Sequence, residues 1–275
     1  MSECVVQPEQ SITWLYYAVV YFLFFGGLLA ALFLGIFLFR HPVNKKQLTR
    51  RIRRRAFSLQ QLMFLFSIYS LIYLMAAYIH YMWPGESSSF NLSVLLVIDL
   101  FMIFTIIGIN QRNKKTWANQ FGMSWSESKN LFFSPLVYLA VIPFIMVAGL
   151  GSQYLLSKIY VEGTPIQQAA KEIVHTQASL KIVYILTAIF VAAIYEEVFF
   201  RGILFPILVR FFGRWNGIIF VSGTFALIHL HPPSLVPLFL LSVVLCYAYW
   251  RTGSLWISIG IHAVFNSVAI FKLLY

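Results

Sequence analysis

The sequence predicts an all-α fold, a polytopic membrane helix bundle with about eight transmembrane helices. Of the 275 residues, 60% are hydrophobic and only 11% are charged, whereas ordinary globular domains contain roughly 45–50% and about 25%. Apolar runs of about 18 residues or more, long enough to span a bilayer, recur along nearly the whole chain. Basic residues gather in short segments beside these runs. A soluble enzyme domain is therefore excluded.

Polar or helix-breaking residues separate eight apolar segments. The first four spans are predicted at 13–39, 62–83, 92–109 and 135–156, and the next four begin near 182, 216, 235 and 254. Pro84-Gly85 ends the second span and Pro232-Pro233 precedes the seventh, since such dipeptides mark turns. The stretch 117–133 mixes aromatic and polar residues, which is typical of the membrane interface. The longest polar connection is predicted at 157–181.

Basic residues are concentrated just after the first predicted span. Eight of the 20 Lys and Arg residues lie in the loop from Arg40 to Arg55, and three more lie at 112–115. Positive loops mark the cytoplasmic side and attract anionic lipid headgroups. We therefore predict an integral, multi-pass membrane protein (of the cell membrane, in a prokaryote) with both termini outside and anionic lipid at this basic loop. Nucleic acid is not expected as a partner, because the positive charge lies beside a span.

Three of the nine acidic residues fall inside predicted spans. They are Asp99, Glu196 and Glu197. An ionisable group in a span costs several kcal/mol unless it is paired or wet, so each is a candidate for function. Asp99 is alone in its helix, and a buried bundle contact explains it as well as a function does. The adjacent pair is a stronger candidate, because a structural need rarely requires two neighbouring carboxylates.

Helical spacing assigns different surroundings to the two glutamates. Glu197 and Arg201 are four residues apart and share one helix face, so they are predicted to form an ion pair. Glu196 lies on another face, where it can meet a different helix. The alternative is that both glutamates are structural charges, one paired with Arg201 and the other with a histidine.

Two further helices of the C-terminal half carry polar pairs at four-residue spacing. They are Phe225 with His229, and His262 with Asn266. A lone histidine on an apolar helix is more often a core residue than a catalyst, but two on separate helices weaken that interpretation. If the fifth helix continues to Arg210, Glu196 lies ~21 Å from that end and His229 lies ~20 Å from the start of its own span. The two side chains can therefore share one level of the membrane.

These residues form three motifs, Glu196-Glu197-Val-Phe-Phe-Arg201-Gly202, Phe225-xxx-His229 and His262-xxx-Asn266. In order and spacing they resemble the EExxxR, FxxxH and HxxxN motifs of the CPBP family, the CAAX-processing and bacteriocin-processing (Abi-type) intramembrane proteases. The resemblance covers about residues 135–275, which it marks as a protease core. Residues 1–134 hold N-terminal transmembrane helices and basic cytoplasmic loops with no recognised motif.

The resemblance implies an eight-helix membrane endopeptidase in which a glutamate and a histidine activate water, without a metal or cofactor. Glu196 would be the general base, and His229 would bind and activate the water. His262 and Asn266 would stabilise the oxyanion. Glu197 would complete the catalytic set, and two residues would support its geometry: Arg201 and Phe225. The implied substrates are membrane-associated peptides or proteins, and nothing in the sequence selects prenylated CAAX peptides over bacteriocin peptides.

Other chemistries fit the sequence less well. Two carboxylates and two imidazoles could bind zinc, but adjacent glutamates converge poorly on one ion, HExxH is absent, and neither Cys4 nor Cys246 lies in a metal-binding pattern. The GxGD motif of paired-aspartate proteases is absent, and Ser222-Gly223 lacks the first glycine of a GxSG motif. A proton-coupled transporter could use the same buried Glu and His residues, although no repeat typical of transporters is present. A non-catalytic scaffold or immunity protein is the remaining alternative.

Overall fold

A computed structural model describes residues 8–82, 88–112, 116–159, 173–174 and 178–274. Three features predicted from the sequence lie outside the described residues: the Pro84-Gly85 turn, most of the 157–181 connection and the side chain of Asp99. The helices, numbered in chain order, are α1 (Pro8–Arg40), α2 (Lys45–Arg54), α3 (Leu59–Met82), α4 (Ser88–Arg112), α5 (Trp117–Phe121), α6 (Ser134–Ser157), α7 (Ala178–Leu186), α8 (Ala192–Glu197), α9 (Phe205–Leu227), α10 (Leu235–Thr252) and α11 (Leu255–Leu274). Two 3₁₀ helices, Trp125–Phe133 and Pro232–Ser234, and two π-helical turns, Thr187–Val191 and Val198–Leu204, complete the described elements.

The described residues form a polytopic helix bundle without β-strands, as the sequence predicts. Six helical stretches are long and apolar enough to cross a membrane, and one of them, Leu180–Leu227, has 48 residues. This stretch is broken at Gly213, whose φ of 81° and ψ of 178° interrupt the helix. The break divides it into the predicted fifth and sixth spans. With the shorter apolar helix Leu100–Arg112, the described chain contains eight segments at the predicted positions.

The packing is uneven across the bundle. The most hydrophobic parts of α1 and α3 are only 11% and 6% buried, whereas that of the seventh span is 50% buried. Most exposed residues of α1 and α3 are apolar, so lipid is the environment that suits them. α1 packs mainly along α6, where a Cβ on Gly27 would come within 2.6 Å of the Pro143 ring. The C-terminal helices form the core of the protein, and the first helices lie at its edge.

The basic segment after α1 is a docked helix rather than the loop predicted from the sequence. Asn44 caps α2 by accepting a hydrogen bond from the amide of Gln47, and Ile52 is fully buried. Arg53 Nε donates to the carbonyl of Val209 in α9 at 3.2 Å. Arg55 donates to the carbonyl of Gly253, after α10. α2 is therefore fixed across the ends of the C-terminal helices.

The stretch 117–133 was expected at the membrane interface, and its first part is packed into the protein. Phe121 is fully buried and stacks on Phe57 with ring centroids 6.3 Å apart. α5 enters the protein because Gly202, in the fifth span, has no side chain: a Cβ there would lie 2.7 Å from the Phe121 ring. In the following 3₁₀ helix, Trp125 and Phe132 are 91% and 85% exposed, as an interfacial segment would be.

Candidate active site

The two glutamates lie on a helix whose winding changes twice around them. The fifth span runs from α7 through the π-helical turn Thr187–Val191, then α8, then the π-helical turn Val198–Leu204 into α9. Glu196 and Glu197 are the last two residues of α8. π-Helical turns are rare and occur often at functional sites. Each one shifts the direction of the following side chains, so simple α-helical periodicity does not fix where this helix faces.

Glu197 is the buried centre of a charged network. Its Oε1 accepts a hydrogen bond from Arg201 NH1 at 2.7 Å, and both side chains are fully buried. The same oxygen lies 2.9 Å from Nδ1 of His262. The ion pair predicted from the four-residue spacing is therefore present. The network joins the fifth span to α11, because His262 lies on that helix.

Arg201 is held from several sides. Its NH2 donates to Ser242 Oγ at 2.8 Å, which fixes the guanidinium to α10. Its Cζ lies 4.7 Å from the centre of the Phe225 ring, a distance suited to a cation–π contact. An unpaired arginine in this environment would cost several kcal/mol. Arg201 therefore ties three helices together around Glu197.

The bond to Glu197 fixes the state of the His262 ring. A carboxylate accepts hydrogen bonds, so Nδ1 of His262 carries the hydrogen and donates it. The other ring nitrogen, Nε2, lies 3.9 Å from Oε2 of Glu196. The buried carboxylate thus orients an imidazole whose second nitrogen faces the neighbouring glutamate, an arrangement that often sets tautomer and ring orientation in active sites.

Glu196 differs from Glu197 in exposure and in partners. Its side chain is 23% exposed, whereas that of Glu197 is fully buried. Oε2 of Glu196 is buried and has no hydrogen-bond partner within the described part of the chain. A buried carboxylate oxygen without a partner is costly. Glu196 is thus the carboxylate of this pair that remains available to a ligand.

His229 is oriented by its own helix. Its Nδ1 lies 2.7 Å from the carbonyl oxygen of Phe225, so Nδ1 donates and Nε2 is left with its lone pair. The Phe225 ring contacts both histidines, with centroid distances of 4.9 Å to His229 and 5.8 Å to His262. This ring is fully buried and connects the two histidines.

Asn266 makes a contact that the sequence did not predict. Its Nδ2 donates to the carbonyl oxygen of Ala188 at 2.8 Å, inside the first π-helical turn. A π-helical turn displaces backbone carbonyls from the regular i→i−4 pattern, and Asn266 satisfies one of them. One amide hydrogen of Asn266 is therefore committed to the backbone of the fifth span, and the second is left for another acceptor.

Other residues of the site were not singled out from the sequence. Ser242 could not be identified from the sequence, because serine is common in apolar spans and its partner, Arg201, lies 41 residues earlier in the chain. Ala188 contributes only its carbonyl, which every residue has. Gly202 was part of the first motif. A glycine is needed there because Phe121 approaches closely, and the spacing of residues in the sequence does not reveal that contact.

The donor set was also tested against a metal. Within the described ranges, no group of three or more His, Cys, Asp or Glu side chains is arranged to hold a metal ion. A metal ion at Oε1 of Glu197 would compete with Arg201 and His262 for that oxygen.

Comparison with known proteins points to a protease family. Residues 178–268 match the family described as type II CAAX prenyl endopeptidase Rce1-like. The match covers about a third of the chain and includes all three motifs. It is shorter than the 135–275 region expected from the resemblance, and it confirms that resemblance. No curated protein and no solved structure matches the chain.

Proposed function

We propose that this chain, a multi-pass membrane protein with the C-terminal helices of the CAAX-protease (CPBP) family, is an intramembrane endopeptidase with a glutamate base. Its substrates would be membrane-associated peptides or proteins of the prenylated CAAX type. One observation supports the mechanism above all. Of two adjacent carboxylates, Glu197 is committed through Oε1 to Arg201 and His262, whereas Glu196 is partly exposed and makes no side-chain hydrogen bond among the described residues.

In the proposed first step, a water molecule donates one hydrogen to Glu196 and the other to Nε2 of His229. Both groups accept, so the lone pair of the water oxygen is directed at the substrate carbonyl. Glu196 takes the proton as the new C–O bond forms, and the carbonyl π electrons move onto oxygen. A positioned general base of this kind contributes typically 10²–10⁴-fold to the rate.

The tetrahedral intermediate needs donors for its oxyanion. We assign Nε2–H of protonated His262, whose charge the oxyanion itself balances, and the second amide hydrogen of Asn266. Each such donor contributes about 3–4 kcal/mol. The intermediate collapses when the C–N bond breaks, and the proton held by Glu196 passes to the leaving amine. The products are a new carboxyl terminus and a free amine, with one water consumed.

The test is cleavage of a peptide by purified protein in detergent or nanodiscs. A farnesylated CAAX-type peptide is incubated with wild type, Glu196→Gln and His229→Ala, and products are identified by mass spectrometry. We expect cleavage by wild type that falls about 10²–10⁴-fold in Glu196→Gln and comparably in His229→Ala. Glu127→Gln is the matched control, because Glu127 binds Asn130 in the 3₁₀ helix, and it should cleave normally.

Comparable turnover in Glu196→Gln and wild type would contradict the role of Glu196. Loss of cleavage after exhaustive chelation, restored by a divalent metal, would favour the zinc alternative. A wild-type protein that cleaves no prenylated or unprenylated peptide, but takes up protons into vesicles in a Glu196-dependent way, would favour a transporter. Absence of both activities in folded protein would leave the scaffold alternative.

A further inference from the structure

A cationic cleft lies between α2 and the beginning of the sixth span. Five basic side chains line it: Lys45, Lys46, Arg50, Arg53 and Arg214. Trp215 forms one wall. The cleft has a volume of about 620 Å³, and no acidic residue lines it. Five like charges line one cleft without an acidic residue among them, an arrangement that attracts anions.

Two kinds of arginine are found on this helix. Arg51 and Arg55 serve to dock α2: Arg51 donates to the carbonyl of Arg251, and Arg55 donates to Gly253. Burial, together with the neighbouring charge of Arg55, lowers the pKa of Arg51. Lys45, Lys46 and Arg50, in contrast, are exposed and form no ion pair within the described chain.

Arg214 is prepared for an anion by its neighbours. Its Cζ lies 4.2 Å from the Trp215 ring centre and 4.3 Å from that of Trp250, so two indoles hold the guanidinium. Trp250 is itself fixed, because its Nε1 donates to Thr49 of α2 at 3.2 Å. Stacking occupies the faces of a guanidinium and leaves its N–H edge, which matches phosphate oxygens in a bidentate way. Arg214 is half-buried, and no hydrogen bond of its side chain is seen in the described residues.

Exposed aromatic residues flank Arg214 in the sequence. Phe211, Phe212 and Trp215 are 62%, 54% and 57% exposed. Exposed aromatic side chains at the end of a span are typical of the headgroup level of a bilayer. Basic residues on the same end mark the cytoplasmic side, whose leaflet is anionic. A ligand with a phosphate and an attached acyl chain would satisfy both parts of the surface.

We propose that this cleft, between α2 and the beginning of the sixth span, binds the phosphate headgroup of an anionic phospholipid of the cytoplasmic leaflet. Arg214 and Arg53 contact the phosphate, the lysines at the start of α2 add charge, and the acyl chains lie against Phe211 and Phe212. The bound lipid bridges α2 to the helix that carries Glu196, because Arg53 also holds Val209 of that helix. The proposal does not depend on proteolysis.

The test is lipid retention by full-length protein purified from mixed micelles of phosphatidylglycerol and phosphatidylcholine, read by native mass spectrometry. We expect wild type to retain phosphatidylglycerol preferentially. Lys45→Gln and Lys46→Gln should each weaken retention about fivefold, and Arg214→Gln should weaken it at least as much. Arg112→Gln is the matched control, since it removes an exposed charge at the end of α4 outside the cleft, and it should retain lipid as wild type does.

The lysine variants keep the test valid if Arg214→Gln fails to fold, because both lysines are exposed at the start of α2. Equal retention of the two lipids, or equal loss in Arg112→Gln and the lysine variants, would overturn the proposal. A soluble source is tested by adding inorganic phosphate or glycerol 3-phosphate at millimolar concentration. Displacement of the lipid by either, with the same dependence on Arg214, would assign the cleft to a free phosphate compound and overturn the lipid assignment.

Discussion

Glu196 and Glu197 are neighbours in sequence, and the bundle gives them opposite surroundings. Glu197 is buried and paired with both Arg201 and His262. Glu196 is partly exposed, and its Oε2 lies 3.9 Å from Nε2 of His262. A buried carboxylate that balances an arginine contributes to stability, whereas a carboxylate without partners costs free energy in the folded state. We therefore expect the two residues to respond differently to the same substitution.

Glu197→Gln should destabilise the protein, by about 3–5 kcal/mol if Arg201 remains charged, because the substitution leaves a buried guanidinium without its counter-charge. Glu196→Gln should leave stability close to that of wild type while lowering the cleavage rate about 10²–10⁴-fold. Thermal unfolding in detergent, followed by tryptophan fluorescence, measures the first effect. Equal unfolding temperatures for the two variants would contradict the division of roles.

Ser242 is expected to matter through Arg201 alone. Its hydroxyl accepts from Arg201 NH2 at 2.8 Å, and hydrogen bonds to charged groups contribute about 1.5–3 kcal/mol. Ser242→Ala should lower the free energy of unfolding by about that amount. Ser267→Ala is the control, because its hydroxyl binds only the carbonyl of Ala263 in the same helix. An unaffected Ser242→Ala variant would mean that Arg201 finds another acceptor.

At the scale of elements, the contact between α5 and the fifth span explains the glycine at position 202, which the motif includes without a reason. Gly202→Ala would place a Cβ 2.7 Å from the Phe121 ring, and overpacking of a core costs typically 1–3 kcal/mol. The variant should therefore unfold at lower temperature. Phe121→Leu in the same chain should restore part of the loss by making room.

Gly223→Ala is the control for this substitution. Gly223 lies in the helical part of α9, and nothing lies within 4 Å of a Cβ built there. Alanine is favoured over glycine in a helix by about 1 kcal/mol, so the variant should be as stable as wild type or slightly more stable. If Gly202→Ala behaved in the same way, the close approach of Phe121 would not be a constraint.

The π-helical turn before Glu196 is held by Asn266. Because Nδ2 of Asn266 donates to the Ala188 carbonyl, Asn266→Asp removes the donor and places a carboxylate against that oxygen. We expect kcat to fall with little change in KM, and amide hydrogen exchange to accelerate at 188–193. A pure oxyanion role would lower kcat without changing exchange, so exchange rates separate the two contributions. Ser267→Ala should leave both unchanged.

At the scale of the whole molecule, the N-terminal region is part of the structure that carries the site. Arg55 joins three segments: it donates to Gly253 and to the Tyr249 hydroxyl, and its carbonyl accepts from Gln120. Ser254, which follows Gly253 in the chain, donates from Oγ to the carbonyl of Gly122 at 2.9 Å. The boundary at residue 134 drawn from the motifs therefore separates segments that pack and hydrogen-bond together.

Arg55→Gln should loosen this junction across the whole bundle. We expect a lower unfolding temperature and faster proteolysis of the folded protein in detergent, because the substitution removes the donors that tie α2 to Tyr249 and Gly253. Arg54→Gln is the matched control, since Arg54 is an exposed neighbour on the same helix and should behave as wild type. Equal behaviour of the two variants would mean that the N-terminal region is held mainly by the packing of α1 on α6.

The sequence alone was sufficient for the class of fold, the positions of the spans and the ion pair. Each depends on a local rule: about 20 apolar residues cross a bilayer, and residues four apart share a helix face. The three motifs also fall within the region that matches a protease family. The roles in catalysis stay predictions, because only activity measurements can test them. They concern Glu196, His229, His262 and Asn266.

Tertiary structure decided what depends on contacts between distant residues. Four contacts join segments that are 65 or more residues apart. They are the bond of His262 to Glu197, the bond of Asn266 to Ala188, the docking of α2 and the packing of Phe121 on Gly202. The π-helical turns change the direction of side chains along the fifth span, so the regular period of 3.6 residues does not carry through it. Local rules act within one helix, whereas the arrangement of the site is fixed by how several helices pack.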